Sequence, residues 1–321
     1  MNIHAPQGIA LLDEATTLFA ADVTEALSQH PKKLSPKYFY DAAGSELFEQ
    51  ITVLPEYYPT RTELEILRER GPDIHAIVPK GAALVEFGAG ATTKVRLLLN
   101  SCEFGAYVPV DISGEFLNAQ AAELRADFPS LNVYPVTADF TAPFELPAEV
   151  KAMPKVGFFP GSTLGNFEPH EASAFLRSSR AILGPGALLV IGIDLEKDEK
   201  QLYAAYNDAA GVTGKFNKNV LVRINRELGG DFDLSAFTHR AIYNRERHRI
   251  EMHLIARTAQ TVHLLGRSFT FRTGESLHTE SSYKYSLERF MALAKGSGWT
   301  PKASWTDAGK QFSVHALVAG E

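Results

Sequence analysis

Between residues 82 and 194, short apolar runs alternate with stretches of helical periodicity, and a chain patterned this way has few folds open to it. Strand-helix-strand units of this kind build a parallel sheet with helices packed on its faces. The runs at 83–87, 106–111, 132–137, 156–159 and 187–193 are each bounded by Gly, Pro, Asn or Asp, which predicts five strands. Helices are predicted at 113–126 and 169–183, the second stopped by Gly184-Pro185-Gly186.

From Lys197 to about Ser286 the rhythm breaks. A helical stretch leads into β-rich pieces at 250–256 and 261–265, so this segment reads as an insertion. Beyond it, 287–294 predicts a helix, and 300–305 and 312–318 predict two strands joined around Asp307-Ala308-Gly309, placed to complete the first sheet. The expected fold class is α/β: a Rossmann-like sheet domain from residues 62–195 and 287–321, and a second, α+β domain from residues 1–61 and 196–286. No internal repeat or low-complexity tract interrupts it.

In open α/β sheets ligands sit beyond the carboxyl ends of the strands, where Glu86-Phe87-Gly88-Ala89-Gly90 closes the first predicted strand. Two glycines let the backbone approach a ligand closely. Asp111 ends the second strand, where a carboxylate can accept both ribose hydroxyls; Asp139 follows the third, where it can accept from an adenine amine. Each aspartate alone reads as a turn or cap, but three successive strand ends point to a nucleoside. A dinucleotide fingerprint asks for a third glycine, and Thr93 stands in its place. S-adenosylmethionine (SAM) has no phosphate to satisfy, and Lys94 in the first turn of the next helix suits its methionine carboxylate.

A net charge of −6 without long like-charge runs gives no footprint for a phosphate backbone, so nucleic acid is not an expected partner. Cys102 is the only cysteine, which excludes an internal disulfide and fits a reducing compartment. The first thirty residues mix apolar positions with Asp13, Glu14, Asp22 and Glu25, unlike a signal peptide, and no run reaches the ~20 apolar residues of a membrane span. A cytoplasmic monomer acting on small molecules is expected.

The residues also resemble a known family, the SAM-dependent histidine Nα-methyltransferases of ergothioneine biosynthesis. The resemblance runs through Pro36-Lys37-Tyr38-Phe39-Tyr40-Asp41, Leu54-Pro55-Glu56-Tyr57-Tyr58-Pro59-Thr60-Arg61, Val85-Glu86-Phe87-Gly88-Ala89-Gly90 and Gly161-Ser162-Thr163-Leu164-Gly165-Asn166. It continues in Ala205-Tyr206-Asn207-Asp208-Ala209-Ala210-Gly211-Val212-Thr213, Phe216-Asn217-Lys218-Asn219-Val220-Leu221, Asn225-Arg226-Glu227-Leu228, Arg249-Ile250-Glu251-Met252 and Thr279-Glu280. It implies a class I SAM-methyltransferase sheet with a substrate-binding domain assembled from the N-terminal segment and the insert. It places the donor site at Tyr40, Gly88, Lys94, Asp111, Asp139 and Phe140, and the histidine site at Tyr57, Gly161, Asn166, Tyr206, Met252, Glu280 and Ser282. Departures are modest: Ala89 stands where the family often has serine, and Ser281 and Tyr283 flank Ser282 in place of other residues.

The implied reaction gives L-histidine three methyl groups through its mono- and dimethylated forms, yielding hercynine and S-adenosylhomocysteine. Transfer from a sulfonium to an amine is an in-line displacement, so the protein supplies position and an unprotonated nitrogen. Tyr40, the Gly161 carbonyl and Asn166 are the expected catalytic-site groups, with Tyr40 and Gly161 orienting the amine and neither acting as a general base. Asn166 and Tyr206 are expected on the substrate carboxylate. Glu280 is expected to accept an imidazole N–H and favour the charged ring, with Ser282 bonding the same ring from the same strand face, Tyr57 serving it from another side and Met252 as a pocket wall. Tyrosine faces would tolerate the quaternary product at ~0.5–2 kcal/mol each. Without the resemblance, Glu280 and Ser282 read as a solvated strand face and Met252 as core.

Two other functions compete. One is a SAM methyltransferase for another, aromatic amino acid, which Glu280 disfavours; the other is a non-catalytic SAM-binding regulator, against which both intact sites argue. Zinc hydrolysis fits poorly, because His248, His253 and His263 lack the H-E-x-x-H spacing and a cysteine partner, and no metal site is expected.

Overall fold

The computed structural model describes residues 14–320. Residues 1–13, which carry part of the N-terminal stretch read above as unlike a signal peptide, and residue 321 lie outside the described residues.

The chain opens with α1 (Glu14–Ser28), a short strand β1 (Lys32–Lys33), then α2 (Ala42–Thr52), α3 (Tyr58–Glu69) and α4 (Gly71–His75). Alternation then begins: β2 (Ala83–Phe87), α5 (Thr93–Ser101), β3 (Ala106–Asp111), α6 (Gly114–Asp127), β4 (Asn132–Val133), β5 (Val136–Thr137), β6 (Lys155–Phe159), α7 (Pro169–Leu183) and β7 (Leu188–Asp194). Next come α8 (Glu199–Tyr206), α9 (Val212–Leu228), β8 (Phe237–Asn244), β9 (Arg249–Ala256), β10 (Gln260–Leu264), β11 (Arg267–Phe271) and β12 (Ser276–Tyr283). The chain finishes with α10 (Leu287–Gly296), β13 (Trp299–Thr306) and β14 (Phe312–Ala319).

The large sheet runs β13-β14-β7-β6-β2-β3-β4, with β5 also paired to β3. Strands β7, β6, β2, β3 and β4 are parallel, while β14 closes antiparallel on β7 and β13 on β14. This is the Rossmann-like α/β sheet expected from the alternation, finished by the C-terminal pair. All five residues of β2 and all seven of β7 are buried because helices cover both faces. Each fully buried Val, Leu or Phe contributes ~1.5–3 kcal/mol. The chain steps from β2 to β3 on one side and returns to β6 on the other, so the order reverses at β2, and the glycine turn lies at that switch point.

Two predicted strands differ. The run 132–137 splits into β4 and β5 at Tyr134-Pro135, where proline has no N–H for the ladder. The run 261–265 loses Leu265, which with Gly266 forms the tight turn between β10 and β11; both adopt positive φ (50° and 73°), a geometry that ends a strand.

A smaller sheet, β1-β12-β9-β8, stands apart from the first. Its β1 comes from the N-terminal segment and runs parallel to β12, with Lys32 opposite Leu277. One buried cluster joins Phe19, Val23 and Phe39 near the N-terminus to Leu221, Ile224, Leu254 and Leu277 of the inserted segment. The register of β12 against β9 shifts between His278 and Glu280. Thr279, at the shift, donates to Asn217 Oδ1 at 2.7 Å and the Met252 carbonyl at 3.0 Å. Such irregularities re-aim neighbouring side chains, and Glu280 thereby falls opposite Met252. Among the described residues no helix is long and apolar enough to cross a membrane.

Candidate active site

The carboxyl edge of the large sheet carries Gly88, Asp111, Asp139 and Phe140 of the residues expected at the donor site, while Tyr40 comes from the N-terminal segment and packs on Phe216. After β2 the chain turns at Gly88 with φ 73°, and the N–H groups of Gly88 and Ala89 donate to the Val110 carbonyl at 2.9 and 3.0 Å. A Cβ at Gly88 would lie 3.1 Å from Phe140 Cε1, so both the dihedral and the close approach call for glycine. Asp111, at the end of β3, accepts the Ser113 N–H at 2.8 Å, and burial raises its carboxyl above the ordinary value. Asp139 accepts from the Thr141 N–H and hydroxyl at 2.9 and 2.5 Å. Phe140 packs on Phe159 and Phe175 at centroid distances of 5.7 and 5.9 Å.

Lys94 does not stand free in the first turn of α5. It pairs at 2.6 Å with Glu63 of α3, a carboxylate only 1% exposed, which also accepts the Gly161 N–H on both oxygens at 2.9 Å. A Cβ at position 192 would lie 2.1 Å from Glu63 Oε1, so Gly192 makes room for this hub. Gly161 and Ser162 both adopt left-handed conformations (φ 80° and 57°). The serine there costs on the order of 1 kcal/mol, and its Oγ accepts the Asp194 N–H at 2.9 Å. The loop continues as a single turn of 3-10 helix to Asn166, which is half-buried.

Besides Gly161 and Asn166 of the loop after β6, the residues expected at the acceptor site come from four further elements. Tyr57 caps α3, Tyr206 ends α8, Glu280 and Ser282 lie on β12, and Met252 faces Glu280 across the sheet. The rings of Tyr57 and Tyr206 stand 6.4 Å apart at 66°. Phe48 bridges Tyr40 and Tyr57 at 5.7 and 6.3 Å. Residues 277–283 are all buried, so Glu280 and Ser282 are not a solvated strand face; the small sheet is covered on both sides there. Met252, 1% exposed, is both a member of the second core and a neighbour of Glu280.

Glu280 is 8% exposed, and no donor among the described residues reaches its carboxylate. Burial pushes its pKa up to about 7, against the pull of the Lys284 charge. Burial also raises the Tyr40 phenol, helped by the carboxylates of Glu280 and Asp111. Tyr40 therefore feels a carboxylate from each half of the site. The Tyr57 and Tyr206 phenols are raised by burial as well, so all three remain protonated.

A second ionic hub lies behind this pocket. Lys284, fully buried, pairs with Asp194 at 2.8 Å and donates to Ser282 Oγ at 2.7 Å and Tyr206 Oη at 3.0 Å. Asp194 also accepts the Tyr58 hydroxyl at 2.8 and 2.7 Å and pairs with Lys197. Burial lowers Lys197 to about 8 despite Asp194, whereas Asp194 itself, though burial opposes it, is held below the ordinary carboxylate range by the two lysines.

Sequence reading passed over Glu63, Asp194 and Lys284. Lys284 continues the alternation of Glu280 and Ser282 one residue past the end of β12, a weak signal beside its reading as a solvated lysine. Glu63 had none, lying among other helical acids. The three histidines weighed as zinc ligands lie with separate partners: His248 pairs with Glu196 at 3.0 Å, His263 with Asp231 at 2.8 Å, and His253 stacks on His278 at 4.9 Å.

The strand-end turn at Gly88 and the buried group of Tyr40, Tyr57, Tyr206 and Glu280 belong to a chain with clear relatives among known proteins. A family model described as histidine-specific methyltransferase, SAM-dependent, matches residues 19–319. A histidine N-alpha-methyltransferase of Mycolicibacterium smegmatis is 42% identical over 317 residues, covering 95% of this chain and 96% of that protein. A protein of the same name from Mycobacterium tuberculosis is 39% identical over 300 residues, covering 91% and 92%. Ergothioneine biosynthesis protein 1 of Neurospora crassa is 30% identical over 307 residues, which span 90% of this chain and 33% of that longer protein. The chain belongs to the family of SAM-dependent, histidine-specific methyltransferases.

Proposed function

We propose that this chain transfers methyl groups from SAM to the α-amino group of L-histidine and repeats the transfer through the mono- and dimethylated forms to hercynine, a step of ergothioneine biosynthesis. The observation that carries the reading is Glu280: a buried carboxylate without a protein donor, set among Tyr40, Tyr57 and Tyr206. Its oxygens do not belong to the fully enclosed polar atoms that lack a partner among the described residues, so they keep access to space from which a ligand can bring an N–H. An imidazole does.

The donor edge fits SAM. Gly88 leaves the space a Cβ would fill, and Asp111 stands where it can accept from ribose hydroxyls. Gly88, Asp111, Asp139 and Phe140 would hold the nucleoside part and Lys94 the methionine carboxylate. Lys94 has three hydrogens and can serve Glu63 and a ligand together. When bound, SAM supplies an electrophilic methyl group on a sulfonium.

The protein's own part is position and proton control. The α-amino group, with a pKa of ~7.7–8, gives up a proton before each transfer. Tyr40 stays protonated at any working pH, so it orients the amine rather than deprotonating it. The Gly161 carbonyl, fixed by the grip of Glu63 on the Gly161 N–H, is a second orienting group, and Asn166 at the end of the same loop suits the substrate carboxylate. The faces of Tyr57 and Tyr206 accommodate the growing positive charge. Both ligands fall to residues of one chain, so the proposed working unit is a monomer, and the lone buried Cys102 suits a reducing, cytoplasmic setting. Calorimetry tests the assignment: Glu280→Ala weakens histidine binding while leaving SAM binding nearly intact. Equal loss of both would remove Glu280 from the acceptor pocket.

A further inference from the structure

Behind the acceptor pocket, one ammonium and two hydroxyls form a closed polar cluster. Lys284 Nζ donates to Ser282 Oγ at 2.7 Å and Tyr206 Oη at 3.0 Å and pairs with Asp194 at 2.8 Å. An ammonium has three hydrogens and no lone pair, so these contacts use all it has and oblige both hydroxyls to accept. Tyr206 in turn donates to Ser282 Oγ at 2.9 Å. Ser282 therefore has both lone pairs filled, while its own proton meets no acceptor among the described residues. Two residues earlier on the same face of β12, Glu280 has the opposite need, with carboxylate oxygens and no donor. Alternate residues of a strand stand ~6.5–7 Å apart, which leaves room for a small ring between the two heads.

We propose that Lys284 is a positioning residue that fixes Ser282 as a hydrogen-bond donor, so that the pocket selects a ring with one N–H for Glu280 and one bare nitrogen for Ser282, the neutral form of imidazole. This rests on histidine being the acceptor substrate. It reverses the charged ring that a carboxylate alone would favour. An imidazolium would push a second N–H against a hydroxyl whose lone pairs are filled. An indole brings an N–H for Glu280 but no bare nitrogen for Ser282, so the same device discriminates against tryptophan. The ammonium is a constant donor: burial works against its charge, yet Asp194 and Tyr206 hold its pKa above the ordinary lysine value.

The test compares L-histidine with its triazole analogue, whose ring keeps an N–H and bare nitrogens but stays neutral. Calorimetry on the full chain, with S-adenosylhomocysteine present to block turnover, measures both affinities across about pH 5.5–8, a range that spans the ~6.5 of an ordinary imidazole. The triazole carries any titration of Glu280 or of the shared amino group, so the ratio of affinities isolates the ring. Histidine is expected to lose about tenfold against the triazole for each pH unit below its ring pKa, and nothing above it. A ratio that holds or rises as pH falls overturns the proposal. If neither compound binds at any pH, the histidine reading falls with it.

Variants place the effect on the cluster. Ser282→Ala is expected to weaken both ligands about three- to tenfold above pH 7 and to shrink the acid-side loss of histidine. Lys284→Met frees a lone pair on Ser282 and shrinks the same loss, whereas Lys284→Arg keeps the donor and keeps the loss. A folded Lys284→Met protein with the parent's full pH dependence overturns the part given to Lys284. Should that variant fail to fold, an undiminished acid-side loss in Ser282→Ala does the same.

Discussion

Replacing Glu280 with glutamine should make the ligand-free protein more stable and the enzyme worse. Glu280 is 8% exposed, meets no hydrogen-bond donor among the described residues, and is pushed from 4.5 up to about 7 by burial, with only the Lys284 charge in opposition. The unfolded chain loses this proton near 4.5 and the folded one near 7, so between those values unfolding is favoured by every rise in pH. The penalty is absent below 4.5, complete above 7, and amounts to about 3 kcal/mol. Glutamine keeps the shape without the charge; its buried amide hydrogens, unmatched, return ~1 kcal/mol of cost. Glu280→Gln is therefore expected to gain about 2 kcal/mol over its parent near pH 8 and to lose that advantage near pH 4. Urea unfolding of both proteins without ligand at several pH values measures the difference, and isothermal calorimetry at the same pH reports the accompanying loss of histidine affinity. A parent more stable than Glu280→Gln near pH 8, or a difference that ignores pH, would refute the claim that this carboxylate is held unmatched for a ligand.

Other perturbations separate the two halves of the site. Gly88→Ala forces a side chain into φ 73° and to 3.1 Å from Phe140, so S-adenosylhomocysteine binding should collapse, with a stability cost of about 1 kcal/mol or more by thermal melting. Glu63→Ala strands Lys94 and the Gly161 N–H at once and should cost on the order of 3–5 kcal/mol in unfolding, with losses in both SAM and histidine affinity. A loss in one ligand alone would mean that Glu63 does not join the sites. Burial lowers His315 from 6.5 to about 4, so the folded protein refuses a proton that the unfolded chain accepts, and stability falls as pH drops through that interval. His315→Leu removes this and should gain up to about 3 kcal/mol relative to its parent between neutral pH and pH 4 in urea titrations, while a constant difference would show that burial leaves the ring's proton affinity unchanged.

Local signals made the sheet legible. The runs at 83–87 and 106–111 became β2 and β3 without change, and 169–183 became α7 because Pro169 at its start and Gly184 past its end bracket the helix. Pro135 was visible, yet an apolar run around it still read as one strand, since the sequence does not say which N–H the ladder needs. Gly88, Asp111 and Asp139 were legible because strand ends place them by position alone. Glu63, Asp194 and Lys284 were not, because a lone Glu, Asp or Lys reads as a solvated residue. Their partners lie far away in the chain: Gly161 for Glu63, and Asp194 for Lys284. Only the fold brings these charges together: α3, packed on the large sheet, carries Glu63 to Gly161, and the end of β12 carries Lys284 to Asp194 at the end of β7. For the same reason the dryness of β12, which makes Glu280 and Ser282 informative, could not be read from its alternating pattern.

The identity of the methylated amino acid is the central point. Incubation of the protein with excess SAM and an equimolar mixture of free histidine, tryptophan and tyrosine, followed by mass spectrometry, gives the most direct answer. The expected result is a gain of three methyl groups on histidine alone, with mono- and dimethylhistidine appearing first and being consumed. A histidine that gains none, or methylation confined to tryptophan or tyrosine, would contradict it.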